Sequence, residues 1–124
     1  MNDFAKQFED LRIWQEARLL AGAVYREFGT GSRAERDYGF RDQIQRAGVS
    51  VMNDIAEGFE RFSPAEFAHL LSIAKGSCGE VRSMLYLAED LQYIAAETAQ
   101  NQREKAHGIS KGIEALAKTL RTRS

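Results

Sequence analysis

Apolar residues return along this chain every three or four positions, in four separate stretches. The first, about residues 10–28, places Ile13, Ala17, Leu20, Val24 and Phe28 on one face, widened by Trp14, Ala21 and Tyr25. That spacing follows the helical turn and predicts an amphipathic helix. It gives way to "GTGSRAERD", a turn-forming stretch. The second stretch, about 38–61, carries Phe40, Ile44, Ala47, Val51, Ile55 and Gly58, and the ladder continues in register to Phe62. The third, about 64–94, has a defined start. Ser63 is placed to cap, Pro64 takes the first helical position, and Glu66 completes a capping box. Its apolar face runs Phe67, Leu70, Leu71, Ala74, Cys78, Val81, Leu85, Ala88 and Leu91. The fourth, about 97–121, spaces Ala99, Gln102, Ala106, Ile109, Ile113, Leu116 and Leu120 by alternating threes and fours, a heptad seam suited to shallow-angle packing.

The chain holds one proline, Pro64, and no clear β alternation. Four helices with short connections in 124 residues predict an all-α fold, one domain over 1–124, arranged as an antiparallel up-down four-helix bundle. Gly76 and Gly79 fall inside the third helix, Gly108 and Gly112 inside the fourth. Each costs about 1 kcal/mol against alanine in a helix interior, so these positions are expected where helix backbones approach closely.

Composition narrows the class. Hydrophobic residues at 44% suffice for a core. A single cysteine, Cys78, leaves no intramolecular disulfide and suits a reducing compartment. The N-terminal "MNDFAKQFED" lacks a basic-then-apolar signal pattern, and no apolar run reaches the roughly 18 residues of a membrane span. A cytoplasmic protein with no membrane partner is expected. The net charge of −1 gives the whole chain no electrostatic claim on nucleic acid. The charge is uneven, however. From residue 103 onward six bases face only Glu104 and Glu114. Lys111, Lys118, Arg121 and Arg123 are the candidate phosphate contacts there. The competing reading is a solvated helix face whose cations sit near the negative end of the helix dipole.

Two Glu-x-x-His spellings, Glu66–His69 and Glu104–His107, match the ligand pattern of di-metal helical bundles. Their facing argues against it. At 100° per residue His69 points about 130° from the core face of its helix, and His107 lies similarly far from the seam. Cys78 and His69 are nine residues apart and point to opposite sides. There is no phosphate-binding glycine loop and no serine nucleophile elbow. No metal, cofactor or catalytic residue is assigned, and the chain reads as a non-enzyme.

Helix two is the informative element. Beside its core ladder runs a polar stripe of Gln43, Arg46, Ser50, Asp54, Glu57 and Arg61, in which Arg46–Ser50 and Glu57–Arg61 can pair at i, i+4. A second apolar face holds Val49, Met52, Ala56 and Phe59, with Gly48 beside them. A helix of an isolated bundle needs one buried face. Two such faces imply a second burial partner, most simply another copy of the chain. Those four residues are the expected oligomer interface. The stripe either edges that interface or is a plain solvated face.

"FEDLRIWQEARLLAGAVY", "YGFRDQIQRAGVSVMNDIAEGFERFSPAEF" and "LLSIAKGSCGEVRSMLYLAEDLQYI" resemble the bacterial four-helix-bundle family of 23S rRNA intervening-sequence proteins. The resemblance covers about residues 8–94, with a looser fit in helix four. Its most recognisable string, Ser-Ile-Pro-x-Asn-Ile-Ala-Glu-Gly, stands here as Ser50-Val51-Met52-Asn53-Asp54-Ile55-Ala56-Glu57-Gly58. Leu11, Trp14, Gln15 and Ala17 accompany it before, and Gly76, Ser77 and Glu80 after. Met52 replaces the usual proline, and Asp54 replaces the usual asparagine, adding a negative charge to the stripe. The resemblance implies an up-down bundle assembled as a ring-shaped homopentamer, without catalytic activity. Some relatives are encoded in insertions within rRNA genes. Others resemble the basic accessory protein of diversity-generating retroelements, which binds nucleic acid and a reverse transcriptase. The acidic balance of this chain departs from that accessory protein. Residues and resemblance together lead to a homo-oligomeric assembly or adaptor protein, with an RNA- or DNA-binding accessory factor as the alternative.

Overall fold

The computed structural model describes residues 5–123. Four α-helices follow a short 3-10 turn at Phe8–Asp10: α1 Arg12–Glu27, α2 Tyr38–Phe59, α3 Pro64–Asp90 and α4 Ala96–Arg123. Each helix packs on its neighbours in the order α1, α2, α3, α4 and back to α1, and among the described residues neither diagonal pair brings its backbones close together. Contacts run in opposite senses along neighbours. Lys75 of α3 meets Glu114 of α4, whereas Glu89 farther along α3 meets Arg103 earlier in α4. The result is an antiparallel up-down four-helix bundle.

The predicted ladders form its core. Ile13, Ala17, Leu20, Val24 and Phe28 are buried, as are Phe40, Ile44, Ala47, Val51, Ile55 and Gly58. The α3 start follows the sequence: Ser63 caps by accepting the Glu66 N–H at 3.1 Å, with Pro64 at the first turn. The other half of the capping box differs. The Glu66 carboxylate accepts from the Ser63 hydroxyl at 3.2 Å.

Three expectations fail at helix ends and glycines. α2 stops at Phe59, so Phe62 leaves the ladder and is fully exposed in the α2–α3 connection. α3 stops at Asp90, four residues early, and Leu91 is 48% exposed. The stop is a Schellman turn: the Tyr93 N–H donates to Ala88 O at 2.9 Å and the Gln92 N–H to Glu89 O at 3.0 Å, with Gln92 left-handed at φ 61°. Nothing lies within 4 Å of the place a Cβ would take at Gly76, Gly79 or Gly108. Of the four glycines expected at close backbone approaches, Gly112 alone has a close neighbour, and it is a side chain: a Cβ there would lie 2.7 Å from a methyl carbon of Ile13 in α1.

At one end of the bundle the connections are tied together. Asp37 caps α2 by accepting the Phe40 N–H at 3.2 Å, and its other oxygen accepts from the Tyr93 hydroxyl at 2.6 Å. Arg33 donates to Gln92 O at 3.1 Å. The α1–α2 and α3–α4 connections are thereby joined, which fixes the ends of all four helices.

Candidate functional site

Among the described residues no three His, Cys, Asp or Glu side chains come together in a way that could hold a metal ion. His69 and His107 are both exposed, and Glu66 is engaged in its cap. Cys78 is buried, and burial pushes its thiol up to about 12, against a smaller opposing effect of Arg82. A thiol so placed is protonated near neutrality and a poor nucleophile. Candidate sites therefore lie in the outer seams of the bundle.

The α2–α3 seam carries the polar stripe. Gln43 donates to Glu80 of α3 at 3.2 Å, and Arg46 and Ser50 line a shallow cleft with them. Arg61 pairs with Glu57 at 2.7 Å, as the spacing predicts, and also reaches Glu66 at 3.7 Å. The expected Arg46–Ser50 pair is not made. Asp54 is half-buried beside Glu57; burial and then that like charge raise its pKa. On the α3 side, Ile73, Glu80 and Leu87 follow one another at intervals of seven residues, so they share a flank. Ile73 and Leu87 are 44% and 45% exposed.

The face expected to be a bare interface is partly covered by the chain itself. Val49, Met52, Ala56 and Phe59 are all half-buried. Met52 and Phe59 pack against the core, Phe59 edge-on to Phe67 with ring centroids 6.0 Å apart, and α2 also packs on the 3-10 turn at Phe8–Asp10. Met52 and Phe59 of the second apolar face thus have intramolecular partners, which sequence spacing alone could not reveal, while Val49 lines an open hollow with Tyr25 and Asn53.

The α1–α4 seam is the least closely packed of the four. The two helices meet where Ile13 faces Gly112 and again where Gln102 donates to Glu27 at 2.9 Å. Between these points a groove of about 750 Å³ opens, lined by Leu19, Leu20, Ala23 and Ile109 and rimmed by Arg12, Arg26 and Lys105. Leu19 is 70% exposed. Gln102 is nine-tenths buried, and one oxygen each of Gln102 and Glu27 is buried without a partner. Burial raises the Glu27 pKa, opposed by the Gln102 hydrogen bond and the nearby Lys105 and Arg26.

The α3–α4 seam gathers cations. A cleft of about 850 Å³ is lined by Lys75, Arg82, Lys118 and Arg121, with Gly76 and Gly79 on its surface. Glu114 stands among them, paired to Lys75 at 3.1 Å, and its pKa is lowered by Lys75 first and by Lys111 and Lys118 after. The predicted basic set is split. Lys118 and Arg121 line the cleft and Lys111 lies near enough to act on Glu114, but Arg123 is about 200° round the helix from Arg121. Lys75 and Arg82 escaped the sequence reading; their spacing of seven was the available signal that they share a flank.

Comparison with known proteins adds the family. A family model described as 23S rRNA-intervening sequence protein matches residues 9–115. The chain belongs to this family. The signature Ser50–Gly58 lies within the match, and its last glycine has a structural reason here. A Cβ at Gly58 would stand 2.7 Å from the Phe67 ring and 3.1 Å from Leu70, so glycine lets α2 and α3 close at that point. Among solved structures, the fold is similar to a protein of unknown function from the S23 ribosomal protein family of Bacteroides thetaiotaomicron VPI-5482. The TM-score is 0.77 and the identity 23%, over 86% of this chain and 98% of that one. No curated protein matches the chain. Among the described residues no helix is long and apolar enough to cross a membrane.

Proposed function

We propose that this bundle is a non-enzymatic, self-assembling adaptor. The observation that supports it is the exposure of large apolar side chains on the seams, led by Leu19 at 70% beside an apolar groove. Apolar surface of this kind is characteristic of interaction sites. Light scattering at micromolar concentration is the test. Several times the 13.9 kDa chain mass is expected, with five chains on the strength of the resemblance. A monomer at that concentration overturns the reading. Met52→Glu is a poor probe of it, because Met52 packs against the chain's own core.

The basic α3–α4 cleft favours a second reading, an accessory factor that holds the phosphates of RNA or DNA. Lys75 and Arg82 from one helix and Lys118 from the next face a common cleft, which is the electrostatic footprint of such binding on a local scale.

A further inference from the structure

We infer that the α1–α4 groove of one copy receives the Ile73–Leu87 flank of α3 from a second copy, a head-to-tail interface. This rests on the self-assembly proposed above and adds which surfaces meet. Because the helices pack in cyclic order, the α1–α4 seam and the α2–α3 seam lie on opposite sides of each bundle. One is concave: a groove of about 750 Å³ with Leu19 bare at its edge. The other is shallower and carries two half-exposed apolar side chains, Ile73 and Leu87, aligned on one flank with Glu80 between them, with Ile73 at the edge of a hollow it shares with Glu66 and Leu70.

Charge assigns the pairing. The groove rim holds Arg12, Arg26 and Lys105 against Glu16 and Glu27, with Arg12 bound to Glu16 at 3.3 Å, so that Arg26 and Lys105 carry its excess positive charge. On that side Glu66 shares a hollow with Ile73, Glu80 lies between the two apolar side chains, and Asp54 and Glu57 stand on the stripe of α2, against Arg46 and Arg61, of which Arg61 is already bound to Glu57. Groove on groove would set cations against cations and leave two hollows. Flank on flank would set carboxylates against carboxylates, which is costly across an interface. Groove on flank brings the exposed apolar side chains of the two surfaces together and matches them in sign. An interface between two different surfaces of one chain repeats from copy to copy, so the assembly exceeds a dimer unless steric closure stops it.

The test uses two variants at exposed positions, Leu19→Asp for the groove and Ile73→Asp for the flank, with Leu87→Asp as a second flank variant. Helical content by circular dichroism should match the parent. Each variant alone should self-associate at least roughly 30-fold more weakly, since an unpaired charge buried at an interface costs about 2 kcal/mol or more. Mixing Leu19→Asp with Ile73→Asp should restore a one-to-one dimer and nothing larger, because one intact groove and one intact flank remain. A parent that is itself monomeric overturns self-assembly altogether. A parent that assembles while either single variant assembles equally well, or a mixture that stays monomeric, overturns the assigned surfaces and leaves self-assembly standing.

Discussion

At the scale of single residues, glycine has two opposite meanings in this bundle. Gly58 and Gly112 stand where a methyl group would collide, with Phe67 and Leu70 in one case and Ile13 in the other. Gly76, Gly79 and Gly108 have open space where a Cβ would go. Sequence spacing could locate all of these glycines in helices but could not separate the two kinds, because the difference lies in the neighbouring helix. Gly58→Ala should destabilise the fold by about 1–3 kcal/mol, the usual penalty of overpacking. Alanine at Gly76 or Gly108 should stabilise it by up to about 1 kcal/mol through helix propensity. Urea unfolding of the three variants measures both signs in one series. If Gly58→Ala matched the parent, the close approach of α2 to α3 would be wrong.

At the scale of elements, the starts were more legible than the stops. The capping residue, proline and acid at 63–66 announce α3 in the sequence and appear at its start in the fold. Its end is hidden because a glutamine, not a glycine, takes the left-handed position at 92. The apolar pattern runs on through Leu91 and Ile94, and Ile94 does pack on the core, but from the following connection. A left-handed conformation is strained for a residue with a Cβ, so Gln92→Gly should raise stability by about 0.5–1 kcal/mol in denaturant titration, after its own entropy cost. The neighbouring strap carries a pH signature. Hydrogen bonds from Tyr93 and then from the Phe40 N–H hold the Asp37 carboxyl below its usual range. A carboxylate with a depressed folded-state pKa contributes stability above its unfolded value near 4, and loses it as pH falls through the folded value. Tyr93→Phe should therefore lower stability at pH 7 and flatten the decline below about pH 4. Thermal melts of both proteins between pH 7 and pH 2.5 check this; equal acid slopes would detach Asp37 from the tyrosine.

At the scale of the molecule, the fold could be read because helical periodicity is local, whereas its seams could not, because each is made by two distant segments. Lys75 and Arg82 join Lys118 only through the register of α3 on α4. That register makes the second functional reading testable residue by residue. Lys75 is held by Glu114; if the cleft grips phosphates with Arg82 and Lys118, each engaged groove neutralises about two of them, and binding should weaken with a log–log salt slope of about −2 per groove on duplex DNA. Base preference should be small, since the cleft supplies cations and no aromatic platform for stacking. The α3–α4 seam lies between the two seams assigned to the interface between copies, so every copy would turn its cleft the same way. Weak grooves presented in parallel gain from effective concentration. Gel-shift titration with structured RNA and duplex DNA at two salt concentrations is the measurement. Arg82→Glu or Lys118→Glu should abolish the shift, Arg123→Glu should leave it intact, and Leu19→Asp should weaken it by removing the neighbours while sparing the cleft. Binding that ignores Lys118→Glu, or that Arg123→Glu removes as thoroughly, would show that the cleft is not what holds the phosphates.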